Sequence, residues 1–358
     1  MALIPRRRLA SLGVVLCAAV SVLVGAIVAG GCDRSAKTAG KPRVAYVTNG
    51  IDSFWVIAEA GAKAGGQKYD AEVEVHMPAQ GVADQKRIVE DLLTRGVDGI
   101  AISPIDAENE TGLINDAAGR TKVITQDSDA PKSNRLLFIG MDNYLAGRMC
   151  GALVKEAMPQ GGRVMIFVGR LEQDNARLRR QGVIDELLDR SHNRDRFDSI
   201  DGELKGSKYA VVGTLTDGFD FNRAKGLAEE SIAKYPDLGC MVGLFAYNSP
   251  MCLEALKQAG KLNQIKVVAF DEQAETLQAI KDGTCHGTVV QNPYMYGMES
   301  VRVLAALVRG DQSVVPESKF IDIPARQIRK DNVDEFWADL KQKTSGGSAT
   351  KPVAAAVP

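Results

Sequence analysis

The sequence is short of the residues that most chemistry needs. It has three histidines in 358 residues, His76, His192 and His286, and none accompanies a plausible Ser or Cys nucleophile. No Gly-x-Ser-x-Gly elbow, His-Glu-x-x-His stretch or Walker loop occurs. The turn after the first apolar run, Asn49-Gly50-Ile51-Asp52, lacks the spaced glycines that let a pyrophosphate approach. Carboxylate pairs could hydrolyse glycosides, but nothing in the sequence sets their separation, so an enzyme is the weaker reading. An excess of one charge is missing too. With 44 basic and 45 acidic residues the formal charge is -1, and no basic stripe calls for nucleic acid. Six cysteines are too few for a disulfide scaffold. Cys150, Cys240, Cys252 and Cys285 lack the paired spacing of a zinc site and read as small buried residues. No cofactor or metal is called for.

What is present begins with an export segment. Arg6-Arg7-Arg8 precede an apolar run from Leu9 to Ala29, long enough to span a bilayer. That run ends at Ala29-Gly30-Gly31-Cys32, followed by polar Asp33-Arg34-Ser35. Small residues before a cysteine resemble a bacterial lipobox, which implies a signal segment over 1–32, lipidation at Cys32 and a tether over 33–42. An uncleaved anchor with an incidental Cys32 is the alternative. Both place the rest of the chain outside a membrane.

Beyond the tether the length suffices for two domains, each with its own core. Apolar strand-like runs alternate with amphipathic helical stretches. Val44–Val47, Glu72–His76, Val97–Ser103, Lys122–Thr125 and Leu136–Met141 form one set of strands. Val164–Val168, Ala210–Leu215, Met241–Phe245, Val267–Phe270 and Gly287–Val290 form another. Strands alternating with helices at this spacing mean right-handed βαβ units and parallel sheets, so the fold class is α/β with two similar doubly wound lobes. The end of the chain, 341–358, is rich in Ser, Gly, Ala and Pro and reads as a disordered tail.

Polar and aromatic residues recur at the strand ends: Asp52, Asp127, Asn248, Asp271 and Gln291, with Phe54 and Trp55 opening the helix after the first strand. Open α/β sheets bind ligands at the carboxyl ends of their strands. Two rings beside a carboxylate suit a small polyhydroxylated molecule, whose C–H face stacks and whose hydroxyls pair with charged groups. The same residues also read as a core Phe–Trp pair with Asp52 or Ser53 as helix cap, and as turn formers.

Seven stretches carry a more specific likeness: 49–55 (NGIDSFW), 125–131 (TQDSDAP), 175–182 (NARLRRQG), 221–226 (FNRAKG), 245–249 (FAYNS), 267–271 (VVAFD) and 288–293 (TVVQNP). In this order, from about Arg43 to Ile323, the chain resembles the periplasmic sugar-binding proteins of the ribose-binding type, substrate-capture components of ABC importers. The resemblance implies a type I periplasmic binding protein fold of two Rossmann-like lobes joined by three crossing segments, near Met141–Asp142, Gln291–Asn292 and Phe320–Ile323. The lobes would be 43–141 with 292–322, and 142–291 with 323–340.

Carried over residue by residue, the resemblance makes Phe54 and Trp55 stacking rings and Asp52 the first polar position, where ribose binders have Asn. Asp127 would accept hydroxyls, with Ser128 beside it. From the second lobe Arg179 would reach the sugar oxygens, Phe221 would be the opposing ring, and Asn248, Asp271 and Gln291 would complete the polar set. Ser128 stands where ribose binders carry an Arg, which leaves three carboxylates against Arg179 and disfavours anionic ligands. The expected ligand is therefore a neutral sugar or polyol, with amino sugars also admitted, delivered by a closing cleft to a membrane permease. A sensor subunit reporting to a receptor is the alternative. A sugar-responsive transcription regulator would need a DNA-binding segment where 6–32 stand. Nothing requires more than a monomer.

Overall fold

The computed structural model describes residues 40–345. The expected export segment, the Cys32 lipidation site and most of the tether and tail lie outside the described residues. The strands that open the fold are almost entirely apolar because helices cover both faces of their sheets. β1 (Arg43–Val47) is buried from Val44 onward. It leads through α1 (Ser53–Lys68), β2 (Glu72–His76), α2 (Val82–Thr94), β3 (Gly99–Ile102), α3 (Thr111–Ala118) and β4 (Lys122–Gln126) to β5 (Phe138–Gly140).

The chain then crosses to a second sheet through Met141–Asp142. There follow α4 (Asn143–Ala157), β6 (Gly162–Val168), α5 (Asp174–Leu187), β7 (Leu204–Lys205), β8 (Tyr209–Thr216), α6 (Phe221–Lys234) and β9 (Leu238–Gly243). α7 (Asn248–Gln258), β10 (Lys266–Phe270), α8 (Ala274–Asp282) and β11 (Gly287–Val290) complete this run. A second crossing at Gln291–Asn292 returns to the first lobe with α9 (Pro293–Val308) and β12 (Phe320–Asp322). A third leads to β13 (Arg326–Ile328) and α10 (Val333–Ser345).

The first sheet runs β12-β5-β4-β3-β1-β2, and every pair in it is parallel. The second runs β13-β11-β10-β9-β6-β8-β7, with antiparallel pairs only at its two edges, β11–β13 and β7–β8. Within each lobe the strand order reverses beside the lobe's first strand, at β1/β3 and at β6/β9. That reversal opens a crevice at the carboxyl ends. Two details correct the sequence reading. Phe320–Asp322, expected in the third crossing, pair with β5, and Ile323 N still donates to Gly140 O at 2.7 Å, so the chain leaves the first sheet after them. Residues 341–345, expected in the tail, are helical, because α10 continues to Ser345, helped by Lys343 Nζ on Asp339 at 2.7 Å.

Helix packing sets the lobes' geometry through glycine. A Cβ on Gly61 or Gly297 would sit 1.8 or 2.1 Å from backbone oxygens of the facing helix, so α1 and α9 touch backbone to backbone. α4 and α5 do the same in the second lobe through Gly147 and Gly182. Buried Val, Leu, Ile and Phe fill the layers on either side of each sheet, each contributing about 1.5–3 kcal/mol. The four described cysteines are free and buried.

Candidate functional site

Between the lobes lies a cavity of about 740 Å³. Its wall is built from loops at the carboxyl ends of strands in both sheets. The turn after β1 supplies Asp52, Phe54 and Trp55. Asp52 does what a short polar residue does at a helix start: its Oδ1 accepts from Phe54 N at 2.9 Å and caps α1. Phe54 and Trp55 pack edge to face, with centroids 4.8 Å apart, and belong to the core cluster of Val44, Tyr46 and Ala58. Both alternatives read from the sequence therefore apply. The residues cap and fill the core, and they also face the cavity.

Asp127 follows β4 at φ 59°, the left-handed region, in a three-residue turn closed by Ser128 N donating to Gln126 O at 2.7 Å. Asp271 follows β10 with φ 65°. Asp tolerates this conformation better than bulkier residues, yet such positions persist only where the surroundings hold them. Asp127 Oδ2 accepts from Ser103 Oγ at 3.1 Å and, across the lobe boundary, from Asn175 Nδ2 at 3.3 Å. Asp271 Oδ1 accepts from Gln291 Nε2 at 2.8 Å, while Gln291 Oε1 accepts from Tyr296 Oη at 3.2 Å.

Arg179 comes from α5 and is fully buried. Its Nε donates to Asn143 Oδ1 at 2.9 Å and its Nη1 to Leu244 O at 3.2 Å, and the guanidinium lies 4.3 Å from the Phe270 ring centroid. Its Nη2 has no hydrogen-bond partner among the described residues, which leaves a donor at the cavity wall. Burial pushes the Asp127 carboxyl up to about 6, against the opposing pull of Arg179 and its hydrogen bonds. Burial likewise raises Asp271, and raises Asp52. Each of these acids gains from any ligand hydroxyl that donates to its ionised form.

Eight of the residues singled out in the sequence line this one cavity: Asp52, Phe54, Trp55, Asp127, Arg179, Phe221, Asp271 and Gln291. Ser128 and Asn248 do not. The tight turn that presents Asp127 carries Ser128 away from the wall, where it is fully buried. Asn248 is spent internally: its Oδ1 accepts from Phe245 N at 3.0 Å and its Nδ2 donates to Asp217 Oδ2 at 2.8 Å. It props the loop that carries Phe245 and Tyr247, both of which line the cavity. Sequence reasoning missed those rings, as well as Asn175, Phe219 and Arg170. Asn175 was legible, since it precedes Arg179 by four residues and shares its helix face. Arg170 also changes the charge balance, so three carboxylates face two guanidinium groups.

The profile of the periplasmic binding protein domain matches residues 44–312. The chain belongs to the periplasmic binding protein family. Its two lobes with parallel sheets have the type I fold, and it is a binding protein, not an enzyme. This periplasmic binding protein is 26% identical over 285 residues to the ribose import binding protein of Salmonella typhimurium, covering 78% of this chain and 88% of that one. It is 24% identical over 324 residues to the xylitol-binding protein of Mycolicibacterium smegmatis, covering 89% and 86%. A solved solute-binding protein of an ABC transporter from Burkholderia graminis, in complex with D-arabinose, superposes with a TM-score of 0.74 at 28% identity, over 82% of this chain and 97% of that one.

Proposed function

We propose that this periplasmic binding protein captures a small neutral sugar, a monosaccharide or polyol, between its lobes and delivers it to the membrane permease of an ABC importer. One observation carries the reading: carboxyl groups, a guanidinium donor with no partner among the described residues, and aromatic rings from both lobes converge on one cavity. Hydrogen bonds to charged groups contribute about 1.5–3 kcal/mol each, so a few offset the cost of association. Asp52, Asp127 and Asp271 against Arg179 and Arg170 leave no net positive field for a phosphate or carboxylate. Neutral hydroxyls fit both kinds of partner.

The crossing segments give the mechanism. Ligand contacts drawn from both lobes are complete only when the lobes close, so ligand shifts the population toward closed. The lobes would be 43–141 with 292–322, and 142–291 with the remainder through α10. Tethering through a lipidated Cys32 rests on the sequence Ala29-Gly30-Gly31-Cys32. Cys32→Ser should then release the protein from the membrane fraction.

The function is tested by thermal unfolding against neutral monosaccharides, polyols and amino sugars. A ligand at about 100 times its Kd should stabilise the fold by about 2.7 kcal/mol. Small-angle scattering with the same ligand should show a more compact particle. No shift with any sugar, polyol or amino sugar would sink the assignment.

A further inference from the structure

The cavity is larger than one sugar ring needs. Its volume is about 740 Å³. A sugar of twelve heavy atoms needs at most about 360 Å³, even if each atom took a whole water molecule's share of liquid volume, about 30 Å³. The deep end holds Asp127, Arg179, Asp271 and Gln291, none more than 3% exposed. The lobes already touch there, through Asn175 on Asp127. The surplus room therefore lies outward, toward half-buried Arg170 and exposed Phe221.

Groups beyond those four also line the cavity. Gln173 lines the cavity and is fully buried, yet neither its Nε2 nor its Oε1 has a hydrogen-bond partner among the described residues. A buried amide with both ends unpaired is costly unless a ligand completes it. Gln173 is the N-cap of α5 and precedes Arg179 by six residues, about 9 Å along the helix axis. Arg170 donates from Nη2 to Gly218 O at 3.3 Å and lies 5.4 Å from the Phe219 ring centroid, which leaves guanidinium donors to spare. Phe221 and Tyr247 stack at 4.7 Å and 21°, with Phe219 6.1 Å from Tyr247. An amide and a guanidinium beside flat rings are the groups that hold a sugar: hydroxyls pair with the first two, and the C–H face lies on the rings.

We propose that the outer part of the cavity is a second sugar subsite, so that the protein takes glycosides of its sugar, with a second ring joined to the first, as well as the sugar itself. The proposal rests on the sugar-capture reading above. The test is titration calorimetry with D-ribose, D-arabinose, L-arabinose, D-glucose and D-galactose, followed by disaccharides carrying whichever of them binds: arabinobiose for L-arabinose, maltose, cellobiose, lactose or melibiose for the hexoses, and synthetic disaccharides of D-ribose or D-arabinose. At least one disaccharide should bind tenfold or more tightly than its monosaccharide. Gln173→Ala should remove that gain and leave the monosaccharide affinity within twofold; Gln173→Leu, which keeps the bulk of the buried side chain, should do the same and carries the test if Gln173→Ala does not fold. The proposal is overturned if every disaccharide binds no more tightly than its monosaccharide, or if the two variants weaken both alike. Silence from all these sugars on folded protein would instead overturn sugar capture itself, and this subsite with it.

Discussion

Arg179 Nη2 stands 3.8 Å from Asp127 Oδ1 at the boundary between the lobes, and both side chains are buried. The distance is long for a hydrogen bond, and Nη2 makes no other among the described residues. The pair is thus held close enough to balance charge while leaving a donor and an acceptor to a ligand. Asp127→Asn should weaken sugar binding about 10- to 100-fold, the loss of one or two charge-assisted hydrogen bonds, with little loss of stability. Arg179→Ala should abolish binding and cost about 3–5 kcal/mol, because Asp127 and Asp271 lose the buried cation that faces them. Calorimetry and urea denaturation of the two variants check this.

Affinity should depend on pH through Asp127. Its carboxyl is raised from 3.8 to about 6 in the free protein, chiefly by burial. Bound hydroxyls favour the ionised form, so binding should release protons and weaken as pH falls from about 7 to about 5. The linked stability has the opposite sign. The raised carboxyl's contribution is fully present below its ordinary value and is lost as pH rises through about 6. Calorimetry in buffers of different ionisation enthalpy counts the protons, and Asp127→Asn should flatten the profile between pH 5 and 7 to whatever Asp271 supplies.

Asp271→Asn should stabilise the free protein while weakening the bound one. The substitution removes a carboxyl that burial has pushed up, keeps an acceptor for Gln291 Nε2, and suits φ 65° at least as well. A gain of about 1 kcal/mol, a few degrees of Tm, is expected with a tenfold or greater loss of affinity. Thermal unfolding with and without ligand separates the two effects, and a lowered Tm would contradict the account.

Gly182→Ala should impair binding without touching the cavity. A Cβ there would sit 2.1 Å from Tyr144 O on α4, so α5 must move, and Arg179 moves with it. A cost of about 1–3 kcal/mol is expected, with weaker binding. Gly226→Ala on α6, where nothing lies within 4 Å, is the control and should be neutral or stabilising by about 0.5–1 kcal/mol. Equal effects at the two positions would argue against close helix contact as the cause.

Much of the fold was legible because strands buried on both faces read as continuous apolar runs. Val44–Val47, Val267–Phe270 and Gly287–Val290 name themselves in this way. β12 and β13 did not, because they are edge strands of three residues each, half exposed, and their pairing depends on where the chain crosses. Residues 341–345 are helical although composition reads as disorder from 341, because composition is blind to the packing that extends α10.

The site divides along the same line. Residue types at strand ends, the order of seven short stretches and a balanced charge were properties of the sequence alone. They determined a two-lobed α/β binding protein with its polar groups at the carboxyl edges. Tertiary structure decided which of those groups share a wall. A left-handed turn presents Asp127 and withdraws Ser128. Asn248 is consumed by Asp217 and Phe245, while Asn175 arrives on α5 beside Arg179, and Phe219, Tyr247 and Arg170 arrive from the segments between strands and helices. The physical reason is that side-chain direction depends on local φ and on which partner captures each polar atom, and both are settled only once the sheets and helices have packed.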